Sequence, residues 1–581
     1  MSRAMRPLLA VGQPCCSSAA VSRRAAAGSR SYSASARLTD HPSSSASLAP
    51  ARHPQQARRR YGQPLPHTHP HLFPHRLSLE ARADLAPLDP HGNIQVAHDE
   101  LTPGIPASEY EDRRRRLMDR LPERSIVVCM AGRVKSMSGN IFYRFRQDSN
   151  FLYLTGFQEP DAAVVLEKDS SSRGYKMTMF VQDRDEANET WNGPRSGIDG
   201  ATDVFGADEA YAMDPSTFLN HLKDVLPRSN HIYVEPSPTP TVPRMSSRAS
   251  KMPSILNFLS PPSPTPYDML PKKADFEAMV KLLGDPVKSQ RLSPTLDKLR
   301  LRKSTNELRL MRRAGRIGSE AMIQTMEFVR PGMVESALQS RFEASCSLAG
   351  AQRPAYVPVV ASGSNALTIH YVNNDDVCRA GDMVCMDAGC ELDGYVSDIT
   401  RAFPVNSDGK FSGPQADLYE AVLRVLRSCT ALVSQSQAYT LAELHRRSVE
   451  MLAAELRALG FDLRPGVLER EIYPHALSHW LGMDLHDTPS VERTTRLEEG
   501  MCLSVEPAVY CSEHTSGVPK AFWGMGIRIE DDVAVGQQGN IVLNAECPRE
   551  RVDVEAACSR FLEGVKLKST SDRRRDAPVF I

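Results

Sequence analysis

The stretch MDAGCELDGYVSDITRAFPV, residues 386–405, sets apolar, strand-like runs on either side of an Asp393-Gly394 pair. Asp-Gly between such runs is a turn signal, and a hairpin built on it would bring Asp387 and Asp398 together. A carboxylate flanking a turn is by itself a turn former or a surface charge, so the pair acquires meaning only from what lies further along. HALSHWLGMDLHD (475–487) clusters His475, His479 and His486, SVEPAVY (504–510) carries Glu506, and GMGIRIEDD (524–532) carries Glu530. Ionised carboxylates in apolar runs such as CLSVEP and GIRIE are costly to bury unpaired, and bound divalent cations explain several of them at once. Ion pairs with arginine are the competing explanation for some. Two Asp, one His and two Glu make an oxygen-rich set, which suits Mn²⁺, Co²⁺ or Zn²⁺ better than a thiolate zinc site would.

Outward from these motifs the second half of the chain reads as a mixed α+β domain, spanning residues 291–560. Residues 306–328 carry apolar side chains at helical spacing (Leu308, Met311, Ala314, Ile317, Ala321), strands alternate with turn residues over 357–405, and helical stretches follow at 417–433 and 441–459. Ahead of it, Pro and Ser crowd into 236–271, the composition of a linker or insertion, and the boundary segment is taken as 236–290. The preceding 99–235 reads as a smaller α/β domain. It opens with an amphipathic run at 109–121, followed by strand-like stretches at 125–131, 162–166, 177–181 and 231–234. Residues 561–581 are left as a C-terminal tail.

The first forty residues have Arg3, Arg6, Arg23, Arg24, Arg30 and Arg37 before the first acidic residue, Asp40, among many Ser and Ala. That is the composition of a mitochondrial transit peptide, with a polar tail as the alternative. Residues 41–98, rich in Pro, Ser and His, lack hydrophobic periodicity and are expected to be a disordered extension. At 581 residues the chain is long enough for two folded domains, and its 70 Lys+Arg balance 70 Asp+Glu, so no global charge draws it to nucleic acid. It holds no run of about 18 apolar residues, which argues against a transmembrane helix. The 12 cysteines form no Cys-x-x-Cys pair, and most are expected to be reduced core residues.

The HALSHWLG, SVEP and GIRIEDD motifs, taken with the Asp pair, resemble the pita-bread metallopeptidases, in the branch of aminopeptidase P (Xaa-Pro aminopeptidases). Within that branch the chain is most similar to the mitochondrial intermediate cleaving peptidases. LTPGIPASEYEDRRRRLM (101–118) and YRFRQDSNFLYLTGFQEPDA (143–162) resemble the N-terminal domain of the same enzymes. The resemblance implies a pair of divalent metals, manganese first with zinc or cobalt as alternatives, held by Asp387, Asp398, His479, Glu506 and Glu530. It implies catalytic roles for Glu506, as proton carrier, and for His370, His475 and His486 near the substrate. It also implies supporting or substrate-side roles for Arg528, Tyr356 and Trp191. Arg528 stands two residues before Glu530, hence on one strand face with it; a plain salt bridge is its alternative, and a core or interface position is that of Trp191. The chain departs from the family pattern at Ala476 and Ala508, where glycine is usual, and alanine would be strained if either position needs positive φ.

The implied activity is removal of one N-terminal residue (Tyr, Phe or Leu) from peptide or protein N-termini after presequence cleavage in the mitochondrial matrix, by a protein that could act as a homodimer. Arg30-Ser31-Tyr32-Ser33 fits this, since a cut two residues past Arg30 would expose Tyr32 on the chain's own precursor. A general Xaa-Pro aminopeptidase, a prolidase and a non-catalytic peptide-binding module remain open from sequence.

Overall fold

In the computed structural model the described residues are 100–139, 141–235, 281–284 and 287–569, with side chains described as far as 560. The expected transit peptide, the 41–98 extension, most of the 236–290 segment and the end of the tail fall outside them.

The N-terminal domain is built on one mixed sheet with strands in the order Ser289–Arg291, His231–Glu235, Ser125–Met130, Ala163–Lys168, Tyr175–Val181 and Glu209–Ala212. Alternate residues of a strand face opposite sides, and here both sides are covered. Val127, Cys129, Val164 and Leu166 pack with Leu117 and Phe151, from helices Ala107–Arg120 and Ser149–Thr155. Ile126, Val128 and Val165 pack with Phe218 and Leu222 of helix Pro215–Val225. The sheet does not stop at Glu235. Ser289–Arg291 joins it in parallel beside His231–Glu235, across the boundary that the sequence reading drew between the 236–290 linker and the catalytic domain. Three residues, Ser-Gln-Arg, are too short and too polar to show strand periodicity.

In the second half, helices Thr305–Phe328, Gly413–Ala431 and Leu441–Ala458 start at capping boxes: Ser304 with Glu307, Ser412 with Gln415, and Thr440 with Glu443. Each box satisfies otherwise orphaned N–H groups at the first turn. Antiparallel strands lie against these helices. Val359–Ser362, Met383–Asp387 and Thr400–Pro404 form one set, Cys502–Val505, Asp531–Val535 and Asn540–Val542 a second, and Ala508–Cys511 pairs with Met525–Arg528. Met322, Phe342, Leu426 and Leu452 pack with Val384, Phe403, Leu503 and Val533 in one core. Three helices of this half escaped the sequence reading: Ser293–Arg300, Glu335–Leu348, and Arg551–Ser569, which runs into the expected tail. Every described cysteine is buried with a free thiol, and no described helix is long and apolar enough to cross a membrane.

Candidate metal centre

Asp387 ends the Met383–Asp387 strand, and Asp398 lies just ahead of Thr400–Pro404, whose register puts Thr400 opposite Asp387. Between them Cys390–Leu392 and Tyr395–Val396 pair through a two-residue turn with positive φ at both Asp393 (51°) and Gly394 (87°), the turn that Asp-Gly favours. The base of the hairpin is tight. A Cβ on Gly389 would lie 1.8 Å from the Ser397 carbonyl oxygen. The Tyr356 hydroxyl touches Oδ1 of Asp387 and, at 2.6 Å, Oδ1 of Asp398.

The histidine segment is laced to the strand that leads into Glu506. Ser504 N–H donates to the His479 carbonyl (3.0 Å), His479 N–H to Ser504 Oγ (3.1 Å), and Glu506 N–H to the Leu477 carbonyl (2.9 Å). Glu530 falls between the strands Met525–Arg528 and Asp531–Val535. Donor atoms of Asp398, His479 and Glu530 all lie within 4.8 Å of one another. His479 Nε2 is 3.3 Å from Asp398 Oδ2 and 3.8 Å from Glu506 Oε1. Its Nδ1 faces the Trp480 carbonyl at 3.1 Å, and since a carbonyl can only accept, Nδ1 carries a proton and Nε2 is the nitrogen turned to the carboxylates.

Four carboxylates, Asp387, Asp398, Glu506 and Glu530, thus meet one imidazole and one guanidinium, that of Arg528, whose Nη2 is 2.5 Å from Asp387 Oδ2. The imbalance shifts their proton affinities. Burial, and then the neighbouring Asp398, Glu506 and Asp387, push the Glu530 carboxyl well up. Burial lifts Glu506 to about 7 despite His479 and Arg528. Burial pulls the His479 imidazole down, but Asp398 and Glu506 outweigh it and raise its pKa to about 9. Buried oxygens short of positive charge, with an imidazole nitrogen aimed among them, form a donor set that fits hard or borderline divalent ions.

His475 stands beside this group, its Nδ1 3.7 Å from Glu506 Oε2. Burial, then Arg528, hold its pKa down at about 4, so the ring is neutral, with Nδ1–H donating to the Ala476 carbonyl (2.9 Å) and Nε2 accepting from the Tyr510 hydroxyl (3.2 Å). The His486 ring meets that of His479 edge to face, with centroids 4.5 Å apart. His370, exposed on the segment after Gly363–Leu367, is near enough to bear electrostatically on both His475 and His486. Trp191 is not brought to this group. It is 87% exposed on helix Glu186–Asn192 of the N-terminal domain, which rules out a core position. Neither Ala476 nor Ala508 is among the described non-glycine residues with positive φ, so the strain expected from losing glycine there does not arise.

Residues 110–233 match the aminopeptidase P N-terminal domain, and residues 309–537 match metallopeptidase family M24. Xaa-Pro aminopeptidase 3 of Mus musculus is 36% identical over 528 residues, covering 88% of this chain and 94% of its own. The chain belongs to the aminopeptidase P family. A further aminopeptidase P relative, intermediate cleaving peptidase 55 of Saccharomyces cerevisiae, is 34% identical over 529 residues, covering 87% of this chain and 96% of its own. The crystal structure of that yeast protein matches at 34% identity with a TM-score of 0.68, over 80% of this chain and 99% of its own. Aminopeptidase P from Escherichia coli with the inhibitor Pro-Leu matches at 31% identity with a TM-score of 0.67, over 79% of this chain and 99% of its own. The catalytic half is accordingly a pita-bread domain, and the chain is a peptide-bond hydrolase of a family that uses divalent metal ions.

Sequence reading missed several residues of this aminopeptidase P centre. Thr400 donates to Glu530 Oε2 (2.6 Å) and accepts from Arg528 Nε (3.0 Å). Tyr510 accepts from Arg528 Nη1 (2.8 Å) and faces His475. Asp532 Oδ2 accepts the Asp398 N–H (2.9 Å). The available signal was closeness along the chain: Thr400 stands two past Asp398, Asp532 two past Glu530, and Tyr510 four past Glu506.

Proposed function

We propose that this protein is a dinuclear-metal aminopeptidase that removes one N-terminal residue (Tyr, Phe or Leu) from imported mitochondrial proteins after presequence cleavage, acting in the matrix. The observation that carries the reading is the cation-deficient cluster of Asp398, His479 and Glu530, with Asp387 and Glu506 beside it. These five residues would hold the ions. Bound divalent ions, manganese first and zinc or cobalt as alternatives, supply a Lewis acid for the scissile carbonyl and lower the pKa of the attacking water.

The chain's own side chains do the rest. A Glu506 carboxylate oxygen takes the proton from the attacking water and delivers it to the leaving nitrogen. Arg528 and Tyr356 orient Asp387 and Asp398, because a ligand held from behind keeps its geometry as charge shifts in front. His486 and His370 bind the peptide and donate to the developing oxyanion, while His475, whose two ring nitrogens are engaged by the Ala476 carbonyl and the Tyr510 hydroxyl, supports Glu506 from 3.7 Å. Trp191, exposed on its helix, is available to the substrate of a second copy in a homodimer. Similarity to proteins named intermediate cleaving peptidase supports the substrate class, as does Arg30-Ser31-Tyr32-Ser33, where trimming would leave Ser33 at the mature N-terminus.

The names of the mammalian relatives favour a second reading, a general Xaa-Pro aminopeptidase. Metal-loaded protein assayed on Tyr-Ser-Ala-Ser and Tyr-Pro-Ala-Ser, with Asp398→Ala as control, separates the two. Tyr release from the first peptide, lost in the variant, is the expected result. Cleavage of the proline peptide alone favours the second reading, and no release from either argues for a peptide-binding module.

A further inference from the structure

Arg300 closes the helix Ser293–Arg300, which leads out of the N-terminal domain, and only 4% of it is exposed. Its guanidinium donates to Asn150 Oδ1 (2.6 Å), to Asp484 Oδ2 (2.6 Å) and to Asp487 Oδ1 (2.5 Å). Asn150 belongs to helix Ser149–Thr155 of the N-terminal domain, whereas Asp484 and Asp487 flank His486 in the catalytic half. One planar, five-donor group therefore fixes the chain before and after a histidine while resting on the other domain, an arrangement a single ammonium cannot reproduce.

The surroundings reinforce the clamp. Lys303 Nζ reaches Asp487 Oδ2 (3.1 Å), Ser149 Oγ–H donates to Asp484 Oδ1 (2.7 Å), and Arg146 Nη2 donates to the Met483 carbonyl (2.7 Å). A Cβ on Gly482 would lie 2.4 Å from Asp487 Oδ2, so the missing side chain leaves room for that carboxylate. Asp487 N–H donates to the Trp480 carbonyl (2.9 Å), folding the segment back on the residue after His479. Between these fixed points His486 is exposed, with its ring against that of His479.

We infer that Arg300 is a positioning residue for His486, and that through it the N-terminal domain sets the placement of this histidine at the metal centre. The inference rests on the proposed role of His486 at the substrate. The test uses the full-length, metal-loaded protein and compares Arg300→Lys, His486→Ala and the double variant on one peptide substrate. Metal content and amide hydrogen exchange over residues 480–490 are measured alongside. Arg300→Lys is expected to lower kcat on the order of 10- to 100-fold with KM and metal content little changed, and to speed exchange at the Asp487 amide. On the His486→Ala background it is expected to cause no further loss, because residues acting through one another are non-additive. Losses that multiply, or an unchanged kcat despite faster exchange at Asp487, overturn the role of Arg300 alone. Full activity of His486→Ala overturns the role given to His486 first, and that of Arg300 with it. Should Arg300→Lys fail to fold, Asn150→Ala, which removes one neutral acceptor, takes its place with a smaller drop in kcat and the same non-additivity.

Discussion

Arg528 sends its donors three ways, to Asp387, to Thr400 and so to Glu530, and to Tyr510 and so to His475. Removing a buried guanidinium strands its carboxylate. Arg528→Met is therefore expected to cost about 3–5 kcal/mol in chelator-treated protein, and less once divalent ions are restored, read as the shift in Tm; an equal shift under both conditions would contradict the picture. At Asp393, burial pushes the carboxyl up to about 6, while Arg313 and the Gln352 amide pull the other way. Between about pH 4, where the unfolded carboxyl titrates, and about pH 6 the folded chain holds a proton that the unfolded chain has released. This group thus favours folding at low pH, and that contribution is lost as pH rises through about 6. Asn suits the same turn position. Asp393→Asn is expected to stabilise the protein on the order of 1 kcal/mol at pH 7 and hardly at all near pH 4, as thermal melts at the two pH values would show. The two-residue spacing to Glu530 pointed to Arg528, but its direct carboxylate partner is Asp387 on another strand, and Glu530 is reached only through Thr400. Neither the Asp387 contact nor the Tyr510 link was legible, because each crosses from one strand to the next and nothing in a linear reading pairs them.

The hairpin between Asp387 and Asp398 is the element most fully written in the sequence, since Asp393-Gly394 specifies both the turn and its length. Its base depends on Gly389, where even a methyl group would meet the Ser397 carbonyl oxygen at 1.8 Å. Gly389→Ala is expected to spread the two strands and cut metal bound per chain severely, while circular dichroism shows the helices intact; unchanged metal content would contradict this. Helix starts were read to within a residue after Ser304 and Thr440, whereas Gly413–Ala431 was read only from 417 and Pro215–Val225, capped by Asp214, was not read. Glu335–Leu348 was missed although Leu338, Phe342 and Cys346 are buried along it. Its first residue is a buried Glu335 that accepts from Ser362, Asn365 and Tyr371, an interior role that a polar residue does not announce.

Across the whole molecule, arginines of the N-terminal domain, one of them fully buried, reach into the catalytic half. Arg113 is fully buried, with Nη2 2.9 Å from Glu109 Oε1, 3.3 Å from Glu307 Oε1 and 3.2 Å from the hydroxyl of Tyr395, on the hairpin between Asp387 and Asp398. Arg146 reaches Glu391 on the same hairpin at 2.5 Å. A charge buried as deeply as that of Arg113 is stable only while partners from both domains remain in place, so the domains are expected to unfold together. Calorimetry should show one transition for the ordered chain, with Arg113→Met lowering it by about 3–5 kcal/mol; two separated transitions would contradict this coupling. The sequence displayed both domains but not the bridge. RRRR in an amphipathic helix reads as solvated charge, and only the fold shows that Arg113 and Arg114 face inward. The most direct test of the metal centre is metal bound per chain, measured by plasma mass spectrometry on protein equilibrated with Mn²⁺ and freed of excess. About two ions per chain are expected for a two-metal site, falling sharply in Glu530→Gln; near-zero content in the folded, unaltered protein would contradict the assignment of Asp387, Asp398, His479, Glu506 and Glu530.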